Sequence, residues 1–313
     1  MTRDDLCGAH IDLHETESAI IRLVSMGARP LITDNVDLGD IMSVRKGESV
    51  VLWKAEEKLF GKRLPTWIQQ TGVCVWMGFI RAVTDTIYNA LAFGDLMGDK
   101  DFQIAGEFSY AVSRKIIGNL KLRYDDGSCG AWMAEGMYSY GLLLRKIYGK
   151  DNLTRQDENW AKQHSIPGGQ EISKDLYRDA SDYQCDSMWC LQTVDEVKAA
   201  IRSMRGIARC ADRATSTKRG KDGVARLVKS GGHCQCWRGL IIDIKGNEYV
   251  VEQQSWPLDS APNGGNDKIT LQTGEVVTLP EGSAMIPMED VQYCLRYGEV
   301  WAADCPTNLW SSK

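Results

Sequence analysis

The stretch SGGHCQCWRGLIIDIKGNEYVVEQQSWP (residues 230–257) has the pattern of a β-hairpin that starts with a histidine and ends with side-chain amides. Two runs rich in apolar residues flank the turn residues Lys-Gly-Asn at 245–247, which is the usual signature of two strands joined by a short turn. His233 is one of only four histidines in the chain. It heads the first strand, and Gln254 ends the second, so the hairpin predicts that the two side chains are neighbours.

A long helix is predicted to begin at Cys74. From Trp76 to Leu91 apolar residues recur at steps of three and four, which marks one buried helix face. Gly72 lets the chain turn sharply just before this run. Cys74 therefore falls in the first helical turn, where the positive end of the helix dipole lowers the pKa of a thiol.

The remaining patterns predict helices first and strands afterwards. A second helix is expected from about residue 129 to 148, and the capping-box sequence TVDE at 193–196 opens a third that runs to about residue 204. Extended patterns follow, and this order predicts an α+β fold rather than alternating βαβ units. Residues 1–60 are predicted to form an N-terminal arm before a main domain at 61–313. The predicted strands are 30–35 and 49–53 in the arm and 207–211, 234–244, 248–254, 268–273 and 275–279 in the main domain, and the arm also carries a short helix at 15–26.

Composition excludes several classes of function. A formal net charge of −5 argues against a broad nucleic-acid-binding surface. No apolar run approaches 18 residues, so no membrane span is expected, and the polar start of the chain lacks the apolar core of a signal peptide. Ten cysteines without an export signal favour reduced thiols.

The cysteine spacing is irregular, and no metal or cofactor is predicted. One metal-binding alternative involves Cys7, His10 and His14, which would share one face of a helix. A polar leader helix with incidental histidines is the preferred interpretation of that spacing.

Candidates for the four roles in thiol catalysis occur in a suitable order. A histidine brought beside Cys74 can form a thiolate–imidazolium pair, and His233 is the candidate. The imidazole then needs a third group to orient it, and Gln254 can supply one. An oxyanion donor must also lie close to the sulfur, and either Gln69 or Gln70 precedes the cysteine at short distance.

These residues carry a resemblance to the papain-like cysteine peptidases. There a glutamine precedes the helix-start cysteine, and a histidine leads a strand whose partner ends in Asn-Ser-Trp. The likeness is closer to the divergent papain-like proteins of bacteriophages and related bacterial genomes. The matching pieces are GVCV at 72–75, DGSCGAW at 126–132, HC at 233–234 and QSW at 254–256.

The resemblance implies a two-part fold, with a helical half, an antiparallel β half and the site in the cleft between them. It implies that Cys74 attacks an amide or ester carbonyl, that His233 moves the proton, and that Gln254 orients the ring beside Ser255. Trp256 would shield this contact from water. In the family the glutamine lies six residues before the cysteine, so neither glutamine here has the usual spacing. Cys129 is the alternative nucleophile, although it lacks an upstream glutamine.

Two functions follow as expectations. The first is a bacteriophage cysteine hydrolase that cleaves peptide or protein substrates through a thioester. It would be made in the bacterial host cytoplasm and then associate with the virion. The second is a non-enzymatic virion structural protein of the head, neck or tail, bound to other virion proteins or to copies of itself. The sequence leaves open whether residues 1–60 cover the cleft as a pro-segment would.

Overall fold

A computed structural model describes residues 7–28, 47–93, 100–256, 267–304 and 306. The strand predicted at 30–35 lies outside these residues. The described helices are α1 (Leu13–Ser25), α2 (Lys54–Phe60), α3 (Cys74–Phe93), α4 (Gly106–Val112, continued by a π-helical turn, Ser113–Ile117), α5 (Gly130–Tyr140), α6 (Glu158–Gln163), α7 (Lys174–Ser181), α8 (Val194–Arg202) and α9 (Met288–Tyr297). The described strands are β1 (Val50–Val51), β2 (Ile147–Tyr148), β3 (Asp151–Asn152), β4 (Met188–Cys190), β5 (Ile207–Thr215), β6 (Leu227–Ile242), β7 (Glu248–Gln253), β8 (Lys268–Thr270), β9 (Val276–Thr278), β10 (Ser283–Pro287) and β11 (Glu299–Ala303).

An antiparallel sheet forms the β half. Within the described residues it has seven strands in the order β10-β7-β6-β5-β11-β4, with β1 paired to β6 outside this path. The predicted hairpin is confirmed as β6 and β7, which pair from Cys236 opposite Gln253 to Ile242 opposite Glu248. Two short hairpins, β2–β3 and β8–β9, lie outside the main sheet.

The long helix α3 packs directly against β5 and β6, and two glycines, Gly78 on the helix and Gly206 just before β5, permit the close approach. A Cβ added at Gly78 would lie 2.7 Å from the Cys234 sulfur, and one added at Gly206 would lie 2.4 Å from the Ala82 carbonyl oxygen. Both distances are shorter than real Cβ contacts allow, so helix and strand meet at backbone distance. This contact carries the first turn of α3 to the strand that holds His233.

A buried network of charges fixes the same contact. Arg238 of β6 donates to both carboxylate oxygens of Asp85 on α3, each at 2.7 Å, and to Glu56 of α2 at 2.6 Å. Arg81 of α3 also pairs with Glu56, at 2.5 Å. The four side chains carry two positive and two negative charges, so the network is balanced, which buried ions require. It therefore holds α2, α3 and β6 in one relative position.

Other predicted elements are confirmed in part. The capping box at Thr193 begins α8, and the helix expected at 15–26 is α1. The helix expected over 129–148 is shorter, because Gly141 adopts a left-handed φ of 82° and ends α5. Residues 147–148 belong instead to a short strand.

The N-terminal region divides into two parts. Residues 50–60 contribute β1, which pairs with β6, and α2, which lies in the charge network. Helix α1 lies on α5, where Arg22 donates to both oxygens of Glu135 at 2.9 Å. Ala19 and Leu23 of α1 belong to the same hydrophobic cluster as α3 and α5. Across the described chain, no helix combines the length and the apolar character needed to cross a membrane.

Candidate active site

Cys74 is the first residue of α3, and its sulfur faces the strand that carries His233. The backbone N–H groups of Cys234, the residue after His233, and of Gly8 act on this sulfur and lower the pKa of the thiol. Cys74 is fully buried. The structure thus brings the predicted nucleophile to the segment of the predicted base.

His233 and Gln254 contact each other as the hairpin predicts. The ring nitrogen Nε2 of His233 lies 3.2 Å from Oε1 of Gln254. A carbonyl oxygen can only accept, so Nε2 carries the proton in this contact. In a neutral imidazole Nδ1 is then the basic nitrogen, which is the tautomer that can take a proton from a thiol.

Trp256 covers the pair. Its indole stacks on the His233 ring with centroids 4.2 Å apart and an angle of 20° between the planes. Trp256 and His233 are both fully buried. Exclusion of water strengthens the hydrogen bond to Gln254, because that bond then lies in a medium of low dielectric constant.

The two candidate glutamines have different surroundings. Gln69 is fully buried, and its Oε1 accepts from the Ser255 hydroxyl at 2.5 Å. Its backbone N–H donates to the Ser255 carbonyl at 2.8 Å. Gln70 is exposed, and its backbone N–H donates to the carboxylate of Glu158 at 2.8 Å. Gln69 is therefore joined to the Gln-Ser-Trp segment, whereas Gln70 faces solvent.

The N-terminal residues Cys7–His10, called here the cleft segment, lie between the helical half and the sheet. Ala9 N–H donates to the carbonyl of Gly232 at 3.2 Å, on the sheet side. On the helical side, His10 N–H donates to the Ser128 carbonyl at 3.0 Å, and Ser128 N–H donates to the Gly8 carbonyl at 2.8 Å. The segment therefore pairs with both walls and passes over Cys74.

Burial dominates the ionisation of Cys74. It raises the pKa of the thiol to about 12, against the two backbone hydrogen bonds that lower it. The sequence alone predicted the opposite direction from the helix dipole. The difference arises because the cleft segment keeps water from the sulfur, and a desolvated thiolate is unfavourable.

The wall formed by residues 123–128 is held from behind by two side chains that sequence patterns did not reveal. Arg114 is buried and donates to the carbonyls of Gly127, at 2.6 Å, and Arg123, at 3.0 Å. The hydroxyl of Tyr110 accepts from the Gly127 N–H at 2.9 Å. Both side chains come from α4 and its π-helical extension, which were not predicted as helical.

Cys129 lies at the N-cap of α5 in a different environment. Burial raises the pKa of its thiol, and the nearby carboxylate of Glu299 raises it further. A negative neighbour opposes formation of a thiolate. Glu299 is itself fully buried beside Cys129 and accepts from the Ala131 N–H at 2.5 Å.

A small cavity of about 20 Å³ lies beside the Gln254 end of the hairpin. It is lined by Trp67, Arg81, Cys234, Gln254 and Ser255. The guanidinium of Arg81 lies over the Trp67 ring, 5.3 Å from its centroid. The residues that contact His233 are therefore adjoined by a small, mostly apolar space.

The alternative metal site is not assembled. Cys7 and His10 precede α1, which begins at Leu13, so the helical spacing that would align them with His14 is absent. His10 Nε2 instead contacts the carbonyl of Asp126 at 3.0 Å. Within the described ranges, no three His, Cys, Asp or Glu residues are grouped as metal ligands.

Comparison of the whole fold with solved structures finds cysteine proteases of similar fold and low sequence identity. Xylellain, a cysteine protease from Xylella fastidiosa, superposes with a TM-score of 0.53 and 15% identity over 89% of this chain and 96% of its own. Procathepsin B S9 from Trypanosoma congolense superposes with a TM-score of 0.54 and 12% identity, over 97% of this chain and 87% of its own. The fold is papain-like. The proform of the ragweed pollen cysteine protease Amb a 11 superposes with a TM-score of 0.51 and 12% identity, over 96% of this chain and 69% of its own. By sequence, the chain matches no protein family and no curated protein.

The predicted fold class is therefore confirmed: a helical half and an antiparallel sheet arranged as in papain-like proteins. In this fold the candidate residues come from both halves, Cys74 and Gln69 from the helical side and His233 and Gln254 from the sheet.

Proposed function

We propose that the protein is a cysteine hydrolase that cleaves peptide or amide bonds through a thioester. One observation carries the proposal. Cys74 stands at a helix start, the backbone N–H of the residue after His233 lowers the pKa of its thiol, and His233 Nε2 lies 3.2 Å from Gln254 Oε1. These contacts support a nucleophile, a base and an orienting group drawn from separate parts of the chain, which thiol catalysis needs.

The chemistry follows from the tautomer of His233. Nδ1 takes the proton of the Cys74 thiol, and the thiolate attacks the substrate carbonyl carbon to give a tetrahedral oxyanion. The backbone N–H of Cys74 and the side chain of Gln69 are the donors assigned to that oxyanion. Imidazolium His233 returns its proton to the leaving amine, and the thioester forms. Water, deprotonated by His233, then hydrolyses the thioester and restores the thiol.

In the state described, the enzyme would be latent. The cleft segment covers Cys74 and pairs with both walls, so a substrate backbone cannot enter until the segment moves. Catalysis therefore requires displacement or removal of residues 7–10. Among the two candidate nucleophiles we assign Cys74, because Cys129 faces the carboxylate of Glu299.

The finer proposal is a bacteriophage enzyme made in the host cytoplasm and carried in the virion. It is supported by the four ordered motifs GVCV, DGSCGAW, HC and QSW, which resemble those of divergent phage papain-like proteins. Its substrates would then be virion proteins or cell-wall peptides.

The test is cleavage of a complex peptide pool by the full chain with Gly8→Ala, a variant designed to release the cleft segment. Mass spectrometry should detect new termini that are absent when Cys74→Ser or His233→Ala is added. A pool cleaved equally by the Cys74→Ser chain would contradict the proposal. So would an intact pool in the presence of a Cys74 that alkylates readily.

A second candidate function is a virion structural component that uses the fold without catalysis. The observation that favours it is the complete burial of Cys74 beneath a filled cleft. In that case residues 7–28 would bury surface against neighbouring subunits. Sedimentation should then show self-association or binding to other virion proteins. A chain that is monomeric at high concentration and active after Gly8→Ala would exclude this alternative.

A further inference from the structure

The cleft beside Cys74 is walled by glycines, and its occupant there is also a glycine. A Cβ added at Gly8 would lie 1.8 Å from the carbonyl oxygen of Gly72. A Cβ added at Gly127, in the loop beside Gly72 on the helical side, would lie 2.0 Å from the carbonyl oxygen of Gly8. Real Cβ atoms do not approach backbone so closely, so at this point one backbone fits between two others with no side chain on the facing surfaces.

The next position is almost as narrow. A Cβ added at Gly232, on the sheet side, would lie 2.2 Å from the carbonyl oxygen of Ala9. Ala9 exposes only 6% of its surface. A small side chain therefore fits at this position and is enclosed by protein.

The glycines of the walls cannot be exchanged for residues with side chains without strain. Gly127 and Gly232 have φ angles of 100° and 84°, in the left-handed region. Gly72 lies so close to the loop at Asp126 that an added Cβ would be 2.8 Å from the Asp126 Cβ. The narrowness therefore belongs to the backbone of the walls and is not the result of movable side chains.

The cleft is wider on both sides of the Gly8-Ala9 pair. Cys7 and His10, which flank Gly8 and Ala9, are each only half-buried. His10 reaches outward to the carbonyl of Asp126. Larger side chains are thus accommodated on either side of the narrow part.

We propose that the cleft recognises extended peptides that carry glycine followed by a small residue, such as Gly-Ala, Gly-Ser or Gly-Gly, at the two positions beside the Cys74 sulfur. The Gly8-Ala9 pair of the cleft segment is the built-in example of this signature. The inference rests on the proposed function, because it defines the substrate class of the same site. The flanking residues contribute less, since the structure leaves room for them.

Peptide binding to an opened cleft tests the signature without requiring turnover. The protein is the full chain carrying Cys74→Ser and either Gly8→Ala or Ala9→Phe, two substitutions that displace the segment through different contacts. If one of them does not fold, the other serves. The probe is a fluorescently labelled hexapeptide of residues 7–12 with Cys7→Ser, followed by fluorescence anisotropy.

The parent hexapeptide should bind both opened chains. A Gly8→Leu or Ala9→Phe hexapeptide should bind at least about tenfold more weakly, because overpacking a rigid wall cannot be relieved. The His10→Leu hexapeptide is the matched control and should bind within about twofold of the parent.

Equal binding of the parent and Gly8→Leu hexapeptides would overturn the inference. Absence of parent binding to either opened chain at about 1 mM would overturn it as well. Hydrolysis is read separately in the peptide pool. Glycine-selective binding without Cys74-dependent cleavage would leave the signature standing and remove the enzymatic function. Cys74-dependent cleavage without glycine selectivity would support the enzymatic function and remove the signature.

Discussion

Replacing Gly8 with alanine should open the cleft and expose Cys74 to reagents. The added methyl carbon would lie 1.8 Å from the carbonyl oxygen of Gly72. The obstructing atom belongs to the backbone, so rotation of a side chain cannot relieve the clash. The cleft segment must therefore leave its position, while α1 keeps its own contact with α5 through Arg22 and Glu135.

The size of the effect follows from the contacts of the segment. Four hydrogen bonds hold it, three between backbones and one between His10 Nε2 and the Asp126 carbonyl. These contacts and the complete burial of Cys74 make the open position the minor one. An overpacking cost of about 1–3 kcal/mol should shift the equilibrium from the closed to the open position roughly five- to hundredfold.

The assay is the rate of Cys74 alkylation by iodoacetamide, read by peptide mapping. Reaction requires the open state, so alkylation of Cys74 should be roughly five- to hundredfold faster in Gly8→Ala than in the wild type. Gly136→Ala is the matched control, because its added Cβ would lie 3.5 Å from the nearest atom, an ordinary contact. A Gly8→Ala rate within about twofold of the wild-type and Gly136→Ala rates would refute the reasoning.

Three further predictions concern the site and its support. Gln254→Ala in the opened chain should lower peptide hydrolysis on the order of a hundredfold, because His233 Nε2 loses its acceptor; an unchanged rate would remove Gln254 from the site. Arg238→Met should lower the free energy of unfolding in urea by about 3–5 kcal/mol, since it leaves buried carboxylates unpaired. Arg178→Met, whose partner Asp175 is exposed, is its control and should cost at most about 1 kcal/mol; equal costs would contradict the role of the network. Burial raises the pKa of Glu299 from 4.5 to about 7, so its stabilising contribution is complete below pH 4.5 and is lost as the pH rises through 7. Glu299→Gln should therefore gain about 3 kcal/mol relative to wild type between pH 4.5 and 8, and parallel pH profiles of unfolding would disprove this.

The hairpin and the long helix were predictable because their signals are local. Alternating residues and a three-residue turn define β6 and β7, and the apolar steps after Gly72 define α3. The fold class followed from the order of such segments. The pairing of His233 with Gln254 followed as well, because hairpin partners are brought together by a short turn.

The cleft segment was not predictable from its own sequence. Cys-Gly-Ala-His has no periodicity, and its position depends on backbone contacts with Gly72, Gly127 and Gly232, which lie far along the chain. The same non-local contact reverses the expected direction of the Cys74 pKa, because burial outweighs the helix dipole.

The side chains that hold the loop at residues 123–128 could not be predicted for a different reason. Arg114 and Tyr110 lie on a helical stretch with a π-helical extension that lacks a regular apolar stripe. Their importance comes from hydrogen bonds to the carbonyl and N–H of Gly127. Such contacts between a side chain and a remote backbone leave no pattern in a single sequence.

The pH dependence of Cys74 alkylation in the Gly8→Ala chain tests the central claim most directly, that a helix-start thiol is activated by His233. With the segment displaced, the thiol should titrate well below its ordinary pKa of about 8.5, and His233→Ala should return the midpoint toward that value. A midpoint at or above about 8.5 that does not change with His233→Ala would show that the two residues do not act together.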